Sequence, residues 1–183
     1  MSRTRSRALA LTTAPLALGM AVALVAAPAQ ASSTSKKDPA GDHVYGSANL
    51  DLAKVSMRTK GKQKLEITFG LHNDVTADDL VFPSGVGVDF TTGKKTTRSV
   101  KVYSRDGVLQ SDVCTYDSRE DLPTPKKCST LSLTQVDGKT FRVEVKRKQL
   151  KKGVKVLKWR ASALAASAFD PLGSAKKPYS WKL

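Results

Sequence analysis

Leu65-Glu66-Ile67-Thr68-Phe69-Gly70-Leu71 carries the plainest structural pattern in the chain. Leu65, Ile67, Phe69 and Leu71 stand two apart, with Glu66 and Thr68 between them. Successive side chains of a strand point to opposite faces, so this reads as a strand with one face in a core and one in water. The residues before it repeat the pattern, Ala53, Val55 and Met57 alternating with Leu52, Lys54 and Ser56. Thr59-Lys60-Gly61-Lys62 reads as the turn that joins the two runs into a hairpin.

Period two continues downstream. Leu80-Val81-Phe82 reads as a short strand stopped by Pro83, and Val86, Val88 and Phe90 as the next, turned by Thr91-Thr92-Gly93-Lys94. Val100 and Val102 line another strand, and Arg105-Asp106-Gly107 turns the chain into a run from Val108 to Tyr116. Residues 117–127 carry charges and two prolines and read as a surface loop. Cys128 opens a strand with Leu131 and Leu133 on one face, Asp137-Gly138 is a strong hairpin signal, and Phe141, Val143 and Val145 answer it. From Val154 to Ala163 the apolar phase slips by one residue, which predicts a β-bulge; the alanines of 161–168 also suit a helical turn. Tyr179 to Leu183 makes a last short strand. Eight or nine short strands at this spacing predict an all-β, antiparallel β-sandwich or jelly-roll-like single domain.

The first residues have a different character. Ser2-Arg3-Thr4-Arg5-Ser6-Arg7 is positive, Ala8 to Ala27 is uncharged, and Ala29-Gln30-Ala31 is a small-x-small cleavage site. That order predicts a secretory signal peptide over 1–31, cut between Ala31 and Ser32. Residues 32–41, polar and without an apolar face, read as a flexible leader, and 42–183 as the β domain. No apolar run of spanning length follows residue 31, so no integral membrane span is expected after cleavage, and the product is expected as a secreted, extracellular monomer.

The processed chain of 152 residues carries 28 Lys/Arg against 16 acids, a net +12. Residues 139–183 hold 13 Lys/Arg against Glu144 and Asp170, a net +11, whereas residues 32–138 hold 15 against 14. Such asymmetry suggests attraction to a polyanion; lysine kept for solubility and edge protection is the plainer account. With Phe141, Val143 and Val145 inward, Arg142 and Lys146 face out; with Trp159 and Ala161 inward, Lys158 and Arg160 face out. If the two strands are neighbours, Arg142, Lys146, Lys158 and Arg160 form one cationic strip, extended by Lys148, Lys151 and Lys152. No aromatic interleaves these residues to stack on bases, which favours an anionic cell-wall polymer or polysaccharide over nucleic acid.

Cys114 and Cys128 are the only cysteines and read as one disulfide across the proline-containing loop. For catalysis only His43 and His72 could serve as a base near neutral pH, and no nucleophile elbow, zinc-protease motif or phosphate-cradling loop occurs. Asp38-Pro39-Ala40-Gly41-Asp42 sets two carboxylates around a turn, with Asp51 further on. Its spacing is not that of an EF-hand, and the favoured reading is an Asp-Pro turn. Asp170 would complete a calcium site only if the two ends of the chain meet. No catalytic residue, metal or cofactor is assigned.

The Asp38–Asp42 leader, Asn49-Leu50-Asp51-Leu52-Ala53-Lys54-Val55, the single cysteine pair and the Asp170-Pro171 turn carry a likeness. The chain resembles a loose group of uncharacterised small secreted β-sandwich proteins of high-GC Gram-positive bacteria. The resemblance implies a β-sandwich and an extracellular address, and carries over no catalytic residue and no ligand. The expected function is a non-enzymatic binding module that takes an anionic cell-envelope polymer on its basic C-terminal face. A carbohydrate-binding module using an exposed Trp159 or Trp181, and a small secreted hydrolase with carboxylate chemistry, are the alternatives.

Overall fold

The computed structural model describes residues 31–42, 50–93, 96–117, 124–150, 153–165, 168–174 and 176–183. The signal-peptide reading of 1–31 lies, but for Ala31, outside the described residues, as do His43, Lys151 and Lys152. Strands are numbered in chain order. Ser33–Lys37 (β1), Leu52–Lys60 (β2), Lys64–Leu71 (β3), Ser132–Asp137 (β8) and Thr140–Lys146 (β9) form a five-stranded sheet in the order β1-β2-β3-β9-β8. Gly85–Gly93 (β4), Thr96–Arg105 (β5), Val108–Asp117 (β6), Lys127–Thr130 (β7), Val156–Ala165 (β10), Ala168–Leu172 (β11) and Tyr179–Lys182 (β12) form a seven-stranded sheet. Its order is β11-β10-β4-β5-β6-β7, and β12 pairs β10. All strand pairings are antiparallel. One helical turn, Arg147–Leu150 (α1), follows β9.

The alternation that predicts the strands also fills the core. Leu65, Ile67 and Phe69 of β3 pair in register with Val145, Val143 and Phe141 of β9, and all six are fully buried. From the other sheet Val88, Phe90, Val100, Leu157 and Trp159 join the same cluster. The all-β sandwich expected from the periodicity is what forms, with twelve strands in place of eight or nine.

Several local readings change. The flexible leader is instead, at residues 33–37, an edge strand paired with β2. The backbone satisfies itself there with no apolar face, Thr59 N–H donating to Ser32 O at 2.8 Å, and a side-chain bond from Trp181 Nε1–H to Ser32 Oγ at 2.8 Å adds a tie to the other sheet. The strand read at Leu80–Phe82 is reduced to a single bridge from Val81 to Ser104. No bulge interrupts β10, whose residues 158–164 run in unbroken register against β4; Val154 precedes the strand and Val156 faces out. The run read as one strand from Cys128 past Leu133 is two, because the chain leaves the seven-stranded sheet after Thr130 and enters the other at Ser132. The Asp106-Gly107 turn has positive φ at both residues, 53° and 74°, the conformation that two-residue hairpins need.

Candidate functional site

The disulfide forms as expected, Cys114 facing Cys128 across the β6–β7 register. The four residues of the expected cationic strip do not come together. Arg142 and Lys146 lie on β9 in the five-stranded sheet, and Lys158 and Arg160 on β10 in the seven-stranded sheet. The alternation fixes which side of its own strand a residue takes, but not which strand lies beside it. β9 pairs β3 and β8; β10 pairs β4, β11 and β12. On its sheet Arg160 is taken up by Asp89, with Nη2 to Oδ2 at 3.1 Å.

What Arg142 and Lys146 join instead is a larger basic group. Lys60 pairs with Lys64, and Lys64 with Lys146, so three lysines stand in one row across β2, β3 and β9. Like charges placed directly opposite repel, so the row persists because anions and solvent offset it. Glu144 is the anion: Lys64 Nζ lies 2.9 Å from its Oε2, and Lys60 Nζ contacts its Oε1. Hydrogen bonds from Lys60 and then Lys64 hold Glu144 down to a pKa of about 2. Lys62 is in the hairpin turn, and α1 brings Arg147 back to it: Arg147 N–H donates to Gln63 O at 2.8 Å and its Nη1 to Lys62 O at 3.4 Å. Lys60, Lys62, Lys64, Lys146, Arg147 and Lys148 therefore share one end of the sheet. A groove beside them is lined by Lys64, Lys146, Glu144, Thr130, Ser132 and Gln149, with Leu131 and Val145 between them.

One row inward, Glu66 is buried on the outer face under three cations, Arg58 at 2.7 Å, Arg142 at 3.6 Å and Lys60 at 3.9 Å. Charge counting by segment hides this group, since Lys60, Lys62 and Lys64 lie in the half of the chain where acids balance bases. The readable signal was the turn Thr59-Lys60-Gly61-Lys62-Gln63-Lys64 itself, which runs directly into Leu65.

A second group forms where the two ends of the domain meet. Carboxylate oxygens of Asp38, Asp42 and Asp170 lie within 4.8 Å of one another. Asp170 comes from β11, where its Oδ2 accepts the N–H of Leu52 at 2.6 Å. Asp51 precedes β2; its Oδ2 accepts the N–H of Gly41 at 2.8 Å, a contact that the positive φ of Gly41 permits. His72 caps the turn, its Nε2 3.2 Å from Asp38 O. Asp170 is 1% exposed and Asp51 3%, and Oδ1 of each, with Oδ2 of Asp38, is buried without a hydrogen-bond partner. Among the described residues no lysine or arginine pairs with any of the four. Burial, and after it Asp170, Asp42 and Asp51, push Asp38 up to about 7; burial pushes Asp170 up as well, against the Leu52 hydrogen bond. The Asp-Pro turn reading is incomplete: the condition that the two ends meet is satisfied.

Trp159 is fully buried and Trp181 is 3% exposed, so neither offers a face to a sugar. Trp159 tilts against Tyr179 inside the sandwich, with ring centroids 5.0 Å apart. No helix among the described residues is long and apolar enough to cross a membrane. No protein-family model, curated protein or solved structure matches the chain.

Proposed function

We propose that this chain is a secreted, non-enzymatic binding module that holds an anionic cell-envelope polymer against the cationic end of its five-stranded sheet. The observation that carries the reading is the row Lys60, Lys64 and Lys146, with Lys62, Arg147 and Lys148 at the same end and Glu144 as its anion. Lysine ammoniums on flexible stems suit repeated anionic groups whose spacing varies along a polymer. An open groove with a largely polar lining suits an extended chain better than a small molecule, which wants a concave, mostly apolar site. No aromatic residue stands among residues 60–64 or 146–150 to stack on bases, which supports a wall polymer over nucleic acid. The signal-like first 31 residues and the disulfide support export to the compartment where such polymers lie.

Cosedimentation with an insoluble anionic wall polymer at low salt tests the site. Lys64→Glu combined with Lys146→Glu abolishes binding, while Lys158→Glu combined with Arg160→Glu leaves it within about twofold, because these lie on the other sheet. Equal loss in both pairs would assign the binding to net charge and overturn the site.

A further inference from the structure

We infer that Asp38, Asp42 and Asp170, braced by Asp51, form a binding site for a divalent cation of the calcium class, which clasps the N-terminal strand to the sandwich. The inference is independent of the polymer reading. Two acids come from the turn after β1, one from the entry to β2 and one from β11, so the site ties three parts of the chain together.

The oxygens point to the ligand. A carboxylate in the protein interior is ordinarily hydrogen-bonded or paired. Here, with the carboxylates ionised, Asp170 Oδ1 and Asp51 Oδ1 are both buried without donors, on side chains 1% and 3% exposed; a protonated Asp38 could donate to Asp170, and nothing donates to the second oxygen of Asp51. Asp170 already spends Oδ2 on Leu52 N–H, and Asp51 spends Oδ2 on Gly41 N–H. Each backbone bond thus aims the carboxyl and leaves one oxygen over. Backbone donors and turn chemistry account for the first oxygen of each pair and not for the second.

The donor set selects among hard cations. Three carboxylate oxygens within 4.8 Å of one another can converge on one ion. Oxygens carried on a bent backbone and open to water on one side suit the flexible shell of calcium better than the strict octahedron of magnesium. Oxygen donors without nitrogen or sulfur favour the same class of ion over zinc. Asp42 is exposed, which leaves a side from which an ion enters and water completes the shell.

The test is titration calorimetry of the EDTA-stripped protein with CaCl2, and separately with MgCl2, together with melting curves in each. One calcium per chain is expected, with a dissociation constant on the order of 10⁻⁴ M and at least tenfold preference over magnesium. At tenfold excess over that constant the melting temperature rises by about 3–6 °C. Asp42→Asn, a change at an exposed position, lowers calcium affinity at least tenfold and, by relieving the repulsion on Asp38 and Asp170, leaves the stripped protein at least as stable as the wild type. Absence of calcium heat and of any calcium-dependent shift in the wild-type protein overturns the site. So does a magnesium affinity equal to that for calcium, or an Asp42→Asn variant that binds as the wild type does.

Discussion

Leu52 N–H donates to Asp170 Oδ2 at 2.6 Å across 118 residues of chain, so the first core strand and the penultimate strand are joined through one buried carboxylate. The bond crosses between the two sheets, β2 belonging to one and β11 to the other. Asp170→Asn keeps an amide oxygen for Leu52 while removing a charge crowded by Asp42 and Asp51. In calcium-free buffer the variant is expected to be as stable as wild type or slightly more so; in millimolar calcium it is the less stable of the two. Urea denaturation in the two buffers checks this. A variant less stable by the same amount in both would make Asp170 a structural hydrogen bond and nothing more.

The disulfide pins an edge. β7 is four residues long, and β6 is its one partner in the sheet. Neither cysteine belongs to the buried core, which continues on the far side of β6 through Val113. Closing a 15-residue loop stabilises by about 3 kcal/mol in the chain-entropy model. Cys114→Ser with Cys128→Ser therefore lowers stability by up to about that amount and leaves the far-UV spectrum of a β protein. An unchanged denaturation midpoint would contradict the expectation, as would loss of the fold.

Much of the fold was legible because alternation is a local property. Leu65, Ile67 and Phe69 announce their strand and its inward face without any knowledge of neighbours, and the Asp106-Gly107 and Asp137-Gly138 pairs announce their turns. Adjacency is not local. Arg142 and Lys158 both face outward as read, yet on different sheets, because β9 returns to β3, laid down some seventy residues earlier. Ser33–Lys37 has no apolar face to betray it, and is a strand because β2 offers an open edge. The acidic site had the same limit: Asp38, Asp42, Asp51 and Asp170 were each visible, and their meeting depended on where β11 ends up.

Acid should weaken one contact at the cationic end selectively. Lys60 and Lys64 hold the Glu144 pKa in the folded protein at about 2, below its ordinary value. A depressed carboxylate adds stability that is fully present above the unfolded pKa and is lost as pH falls through the folded one. The stability difference between wild type and Glu144→Gln is thus expected to be constant from pH 7 to about 5, to shrink below that, and to vanish only once pH falls below about 2. A difference that persists undiminished at pH 2 would contradict the assignment. At neutral pH the same variant frees Lys60 and Lys64 and should bind the wall polymer several-fold more tightly.

Tryptophan fluorescence separates the polymer reading from the sugar one. Trp159 and Trp181 are both buried, so emission should be blue-shifted, weakly quenched by acrylamide and unmoved by neutral oligosaccharides. A saturable change on adding a neutral sugar would reopen the carbohydrate-binding reading.

The salt dependence of polymer binding reports on the lysine row itself. Binding by Lys60, Lys64 and Lys146 releases counterions, so affinity for the anionic wall polymer should fall on the order of tenfold or more between 50 and 300 mM NaCl. The slope of log affinity against log salt should become shallower in Lys64→Glu with Lys146→Glu. Affinity that is indifferent to salt, with an unchanged slope in that double variant, would contradict the account.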